Sequence, residues 1–368
     1  MKKKITCFCP TDLQSIFASS INFFKTGEGF SFNDLYVDIV CRDKFYPFGI
    51  LNQFRSIFKD NKNIKLIKLP CVKPFKRLDQ YEDFELQVKN YLKKNKTDFA
   101  YFRSYNGVKS SIKNNIPTAV ESHAHPSNEN FHLANMLKLS IHKNFKALFT
   151  ISNVLKESFI AKEVPKTKIH ILSDGYDDKI FFPLKKKNKS SKVVTYFGHL
   201  YEYKGVFTLL NAAKYQKNII FKIIGGTKKD LKIVKNFIRS NNLKNVLTYG
   251  HIKMNDLRNY IDDTDIFVLP PSKNHPSASW TSPLKLCEYF ALRKPVIASD
   301  IPALKDWLVN DEVYFFEADN HVSLSNKIDH IFKNYEDAEN KIVNSDKFIL
   351  DKNYKSRSKI ILDKLVSI

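Results

Sequence analysis

Ser282, Pro283, Lys285 and Glu288, in the stretch SPLKLCEYFALRKPVIAS (282–299), have types and spacing that suit an anionic ligand. Ser282 followed by Pro283 predicts a helix start. Serine caps backbone N–H groups, and proline tolerates the first helical position because its missing N–H would be unpaired there anyway. The N–H groups that follow, with the positive end of the helix dipole, form a site for negative charge. Lys285 adds a cation in a turn where a bare helix favours an acid, which makes sense if a diphosphate sits there. Glu288 follows three residues later, and helical side chains lean toward the N-terminus. Its carboxylate can therefore reach the same ligand and accept two hydrogen bonds from a ribose diol. The spacing equally fits a surface ion pair at i, i+3, worth roughly 0.2–0.5 kcal/mol. The stretch alone leaves both readings open.

Three further groups of residues could contribute. In YFGHLYEYKGVFTLL (196–210) a strand ends at Gly198, His199 follows, and Lys204-Gly205 opens a helix. A lysine placed there points off the end of a sheet, or is simply a solvated loop lysine. In FKIIGGT, Gly225 and Gly226 lie between a strand and a helix, where glycine lets backbone approach a ligand. In VESHAHPSN a strand ends in Glu121-Ser122-His123. His123 and His125 lack nearby third and fourth ligands, which argues against zinc.

Short β-like runs alternate with amphipathic stretches to position these residues. ITCFC, LYVDIV, NIKLIKL, DFAYFR, PTAVES, ALFTIS and KIHIL come first. KVVTYFG, IIFKIIGG, NVLTYG, DIFVLP, PVIAS and VYFF follow a lysine-rich segment near 181–192. Such alternation predicts parallel sheets covered by helices on both faces. Length and the basic break predict two doubly wound Rossmann-like domains facing across a cleft. The expected boundaries are an N-terminal domain over 1–182 and a second over 183–345. A C-terminal helix over 346–368 is expected to pack back toward the first. Ligands are expected beyond the carboxyl ends of the strands.

The net charge of +22 attracts phosphorylated substrates, anionic lipid or nucleic acid alike. Nothing resembles a nucleic-acid-binding module, so no specific nucleic-acid partner is expected. Five scattered cysteines, with Cys7 and Cys9 on one face of a strand, read as buried thiols in a reducing cytoplasm. The apolar stretch after MKKK is too short for a signal peptide, and no run of 18 apolar residues spans a membrane. Interleaved lysines and apolar residues over 61–77 fit docking to an anionic inner leaflet, or an ordinary exposed strand and loop.

The order YFG-x5-KG, IIGG, NVLTYGHI, DIFVLPPS, SPLKLCEYFALRKPVIASD resembles the carboxy-terminal domain of glycosyltransferase family 4, in its SPLKL…E branch. ILSDGYDDKIFFP is similar to the stretch before the family's linker. The likeness covers about 165–365, and the first half resembles the family only loosely. It implies a GT-B fold and a retaining enzyme that moves a hexose-type sugar from a nucleotide-diphosphate sugar. The acceptor would be a glycan or lipid-linked molecule of surface polysaccharide synthesis, such as lipopolysaccharide or capsule. By the resemblance Lys204 neutralises the diphosphate, Lys285 or a protonated His199 compensates for the arginine missing at His199, and Gly198, Gly225 and Gly226 border the donor. Glu288 holds the ribose, and Gly250, His251 and Ile252 lie against the base. Thr281, Ser282, Pro283 and Leu284 cradle the phosphates, and Trp280 borders the donor sugar. His123 is implied near the sugar and its leaving phosphate. No cofactor or metal is expected, because GT-B enzymes neutralise diphosphate with lysines and helix dipoles; Asp265, in a DxD-like string, reads as structural. The departures are Trp280 where the family has an acid, His199 where an arginine is frequent, and Arg293 where a glycine closes the motif helix. A changed sugar pocket accounts for the first; a catalytically silent nucleotide-binding subunit would account for all three. Any contact from Thr11–Ser15 to the acceptor is in doubt, since the usual glycine-rich loop is missing there.

Overall fold

A computed structural model describes residues 2–11, 18–43, 61–70, 80–127, 130–185, 191–282, 284–308 and 311–367. The chain divides into two compact units, Met1–Gly175 with Asn353–Ile368, and Tyr176–Lys352.

The first unit holds seven parallel strands: β1 (Lys4–Phe8), β2 (Tyr36–Asp43), β3 (Ile64–Pro70), β4 (Phe99–Phe102), β5 (Thr118–Ser122), β6 (Phe145–Thr150) and β7 (Ile169–Ile171). Their order is β3-β2-β1-β4-β5-β6-β7. The central strands read as continuous apolar runs because both faces are covered. Ile5, Cys7, Val37, Ile39 and Tyr101 face one layer with Phe23, Ile361 and Leu365, from helices Ala18–Ser31 and Tyr354–Val366. Phe8, Val40, Phe102 and Val120 face the other layer with Phe84, Val88 and Val108. The last helix of the chain is thus a member of the first unit. Cys7, Cys9, Cys41 and Cys287 are buried, and burial pushes the Cys9 thiol up to about 12; Cys71 lies outside the described residues. Lys65 and Lys68 are exposed on β3, an edge strand where charge also blocks further strand pairing. The rest of the basic stretch, 71–77, lies outside the described residues, as do 12–15.

The second unit holds β8 (Lys192–Gly198), β9 (Ile219–Gly225), β10 (Val246–Tyr249), β11 (Ile266–Leu269), β12 (Val296–Ser299) and β13 (Tyr314–Phe316). They run parallel in the order β10-β9-β8-β11-β12-β13. In each sheet the order reverses beside the first strand, between β1 and β4 and between β8 and β11, and such switch points open ligand crevices. The chain enters and leaves the second unit at one place, where Tyr176 N donates to Lys352 O at 3.1 Å. Phe181 and Leu184 are buried in its core, so the beginning of the segment that reads as a linker is packed. The DxD-like string is consumed by the fold. Asp265 accepts from Val193 N at 2.8 Å, and Asp263 pairs with Lys222 Nζ at 2.6 Å.

The helix Leu284–Ala291 closes at Arg293, which itself adopts the left-handed conformation (φ 53°) and donates from its N–H to Phe290 O at 2.9 Å. Its side chain pairs with Asp346 at 2.9 Å in a largely solvated setting. A non-glycine residue pays roughly 1–2 kcal/mol for that backbone, whereas an exposed ion pair returns about 0–1 kcal/mol. Arg293→Gly is therefore expected to stabilise the second unit by up to about 1 kcal/mol. Urea unfolding followed by tryptophan fluorescence checks this, because both tryptophans, Trp280 and Trp307, lie in that unit. An unchanged or lower midpoint would mean that the Asp346 pair outweighs the backbone strain.

Candidate functional site

The carboxyl edge of the second sheet is built from glycines. Gly198 of β8 pairs in register with Gly225 of β9, and Gly225 N donates to Gly250 O at 3.1 Å. Gly225 has φ 115°, and a Cβ there would lie 2.1 Å from Gly198 O. Gly226 follows over Leu200. Thr227 and Asp230 then cap helix Lys228–Ser240 reciprocally, at 3.3 and 3.2 Å.

Lys204 ends a short 3₁₀ turn, Glu202–Lys204, that leads to helix Val206–Ala213. Between them Gly205 (φ 74°) presses on the end of β11, where a Cβ would lie 1.6 Å from Pro270 O. This contact pins the Lys204 loop to the switch point between β8 and β11. Gly205→Ala would combine that collision with an unfavourable φ. It is expected to destabilise the second unit by about 3 kcal/mol or more, read by the same urea titration; a loss below 1 kcal/mol would show that the loop can move away from Pro270.

Helix Leu284–Ala291 is buried at every position except Lys285, which is half-buried. Tyr289 clamps the helix to β8: its hydroxyl accepts from Phe197 N at 3.1 Å and donates to Phe197 O at 3.2 Å. Lys285 is thereby held beside Gly198, with Nζ 4.8 Å from the centre of the Phe197 ring. Lys285 Nζ donates to Glu288 Oε2 at 2.6 Å. The i, i+3 pair that the spacing permits is present, but it is not a surface pair, since Glu288 is only 2% exposed. Pro283 lies outside the described residues. Thr281 and Ser282 are half-buried, and the backbone N–H groups of Trp280 and Thr281 donate to Ser277 O at 3.1 and 2.8 Å. Leu284 is buried.

His199 reports the electrostatics of this edge. Burial lowers its pKa, and the charges of Lys285, Lys204 and His251 lower it further, against a smaller opposing pull from Asp230. Cations are therefore concentrated around one imidazole. A protonated His199 is disfavoured until an anion arrives to neutralise its neighbours. His251 is exposed, whereas Ile252 packs against the core.

Sequence reasoning missed the rings around this loop. His199 stacks on Tyr201 (4.9 Å), Tyr201 on Tyr203 (5.7 Å), and Tyr203 on His275 (4.0 Å). Lys204 Nζ lies 5.1 Å from the Tyr203 ring, and Ser272 N donates to Tyr203 O at 2.9 Å. The only local signal was the alternating aromatic pattern of HLYEY.

In the first unit His123 follows β5. Its Nε2 lies 2.6 Å from Glu121 Oε1, and its Nδ1 lies 3.9 Å from Asp174 Oδ1. Burial lowers the imidazole pKa and Arg103 adds to this, while Asp174 and Glu121 pull it up. Glu121 is buried and also accepts from Tyr101 Oη (2.7 Å) and Arg357 (2.6 Å), both at Oε2. Burial pushes the Glu121 carboxyl up, but Arg357, the His123 hydrogen bond and Arg103 outweigh it and hold it well below the usual range. An ionised carboxylate only accepts, so the neutral imidazole carries its proton on Nε2 and leaves Nδ1 as an acceptor. The partners Glu121 and Arg357 had no sequence signal of their own.

Two parallel-sheet α/β units, each with its switch-point crevice, define a GT-B fold. Solved structures agree across the whole chain. Sucrose-phosphate synthase from Thermosynechococcus elongatus is 15% identical, with a TM-score of 0.77 and 98% of each chain covered. Anabaena Alr3699/HepE, in complex with UDP and glucose, is 13% identical, with a TM-score of 0.75 and both chains fully covered. Within that fold, residues 177–348 match the family model of glycosyl transferases group 1, a match lying inside the second unit. The processive diacylglycerol alpha-glucosyltransferase of Acholeplasma laidlawii is 26% identical over 166 residues, covering 44% of this chain and 47% of the relative. The chain thus spans about half the length of the curated relative that it matches.

Proposed function

We propose that the protein is a retaining glycosyltransferase of family 4 that takes a sugar from a nucleotide-diphosphate donor held by the second unit. The observation that carries this is the set of Lys204, Lys285 and His199 around the glycine edge, with buried Glu288 alongside, in the segment that matches glycosyl transferases group 1. Lys204 and Lys285 neutralise the diphosphate, and Glu288 accepts the ribose hydroxyls. Gly198, Gly225, Gly226, Gly250, His251 and Ile252 border the nucleotide, and Trp280 to Leu284 border the phosphates and sugar. In the transfer, the bond from the anomeric carbon to the phosphate oxygen breaks. A bond to the acceptor oxygen forms on the same face, and the acceptor proton passes to the leaving phosphate. His123 offers Nδ1 to a substrate hydroxyl. Binding energy of this kind accelerates the step only where it is stronger at the developing phosphate charge.

The acceptor in this reading is a glycan or lipid-linked molecule of surface polysaccharide synthesis, reached from the cytoplasmic face. Lys65 and Lys68 and the overall charge support peripheral contact with anionic lipid. Thermal shift with UDP, GDP, ADP and CMP and their sugars tests the donor. A ligand at about 100 times its Kd adds roughly 2.7 kcal/mol, so one diphosphate is expected to stand out at both low and high salt. Proton NMR of the product then reads the anomeric configuration. An inverted anomer rejects retention, and equal shifts with all anions that salt abolishes leave only a silent nucleotide-site relic.

A further inference from the structure

The first unit contains a second cationic feature, at the end of β4, that the reading above does not use. Arg103 and Ser104 follow β4 at the switch point of the seven-stranded sheet, beside β1, where Arg103 N donates to Phe8 O at 3.0 Å. The Arg103 side chain is 9% exposed and its closest acid is Glu121, with Nε to Oε1 at 3.4 Å. That oxygen is already taken at 2.6 Å by His123, and the other by Tyr101 and Arg357. Arg357, by contrast, is satisfied: it donates to Ser173 O (2.9 Å), Thr26 Oγ1 (2.8 Å) and Glu121 Oε2 (2.6 Å). Among the described residues, Arg103 Nε and the neighbouring Ser104 Oγ are both buried without a hydrogen-bond partner. Two consecutive residues therefore hold donors without a hydrogen bond, one of them on a permanent cation that keeps only a 3.4 Å ion pair with Glu121 at this nitrogen.

A buried polar group without a partner is destabilising, and more so when charged. Two such groups side by side at a switch point call for one acceptor-rich ligand. Tyr105 and Ser122 line the same edge, their hydroxyls 2.5 Å apart. Arg103, Ser104, Tyr105 and His123 all keep part of their surface in solvent. We infer that Arg103 and Ser104 form a phosphate-binding subsite in the first unit, and that it holds the phosphate of the acceptor. A phosphate presents several acceptor oxygens that a guanidinium and a hydroxyl can share, and arginine suits it better than lysine. The anion site stands on these donors alone; its link to the acceptor rests on the transferase reading.

The test is a calorimetric titration of glycerol 3-phosphate and of inorganic phosphate, with and without saturating UDP to fill the second unit. Wild type is expected to bind glycerol 3-phosphate, with UDP present, at least as tightly as inorganic phosphate. Arg103→Gln is expected to weaken this at least tenfold, and Ser104→Ala at least threefold. Ser104→Ala removes only an unpartnered hydroxyl, so its unliganded stability is expected to be unchanged or higher, and folding cannot explain its loss. Lys113→Gln, an exposed lysine on the adjacent helix Val108–Lys113, controls for the general positive charge and is expected to change nothing. Equal binding by wild type and Ser104→Ala, or no binding by wild type, overturns the subsite. Preference for inorganic phosphate overturns the acceptor assignment. If UDP itself fails to bind while the phosphate titrations behave as expected, the donor reading fails and the anion site stands.

Discussion

Lys204→Ala is expected to lower kcat/KM for the nucleotide-sugar donor by roughly 10²–10³-fold, the typical cost of losing one preorganised donor to a developing oxyanion. Lys204 and Lys285 are not equivalent. Lys285 is committed to buried Glu288 at 2.6 Å and stacked over Phe197, so part of its charge is already answered by the protein. Lys204 stands on a loop fixed by Gly205 against Pro270 and by the Tyr203 ring, beside the imidazole of His199. Gly205 against Pro270 still pins the loop when the ammonium group and its contact with the Tyr203 ring are lost, so the Lys204→Ala protein is expected to unfold within about 1 kcal/mol of wild type. Lys285→Ala would behave differently. It removes the ammonium that pairs with a buried carboxylate, so it is expected to lose stability as well as donor affinity. Steady-state kinetics with the donor identified by thermal shift, together with urea titrations of both variants, separates the two. A Lys204→Ala enzyme within threefold of wild type would show that the diphosphate lies elsewhere.

The parallel strands were legible because each is a short apolar run buried on both faces, as in KVVTYFG and IIFKIIGG, followed by glycine where the chain must turn close to its neighbour. The crevice was legible for the same reason: Gly198, Gly225 and Lys204-Gly205 all follow strands, and in a doubly wound sheet the carboxyl ends share one edge. Local pattern could not say that Glu288 is buried, because that depends on Tyr289 reaching across to Phe197, 92 residues away. It could not show the Tyr203–His275 stack or the Glu121–Arg357 pair either, since each joins segments with no common period. At Arg293, which stands where the family has a glycine, the left-handed backbone is formed all the same. With the helix already clamped by its buried face, the chain imposes that conformation on arginine.

The pair that ties the end of the chain to the first sheet has the second large effect. Arg357 is 1% exposed and Glu121 is equally buried, and the two are 2.6 Å apart. Arg357→Met keeps most of the volume but leaves Glu121 with His123, Tyr101 and the looser Arg103 pair at 3.4 Å. Breaking such a buried pair from one side costs about 3–5 kcal/mol. For a unit of this size that lowers the unfolding temperature by on the order of 10 °C. Circular dichroism melts that resolve the first unit would show it, and Glu121→Gln is expected to lose a similar amount. A double variant that loses much less than the sum of the two identifies the coupling as direct. The pH dependence gives an independent check. The folded Glu121 pKa is depressed, so its contribution is fully present above the unfolded carboxyl value of about 4.3 and is lost as pH falls toward the folded value. Wild type is therefore expected to lose stability more steeply than Glu121→Gln below about pH 4.5, and the two profiles run parallel above pH 6. Parallel profiles throughout would mean that Glu121 gains nothing from ionisation in the folded unit. Arg357 would then hold the last helix in place by packing and by its bonds to Ser173 and Thr26, without the charge of its partner.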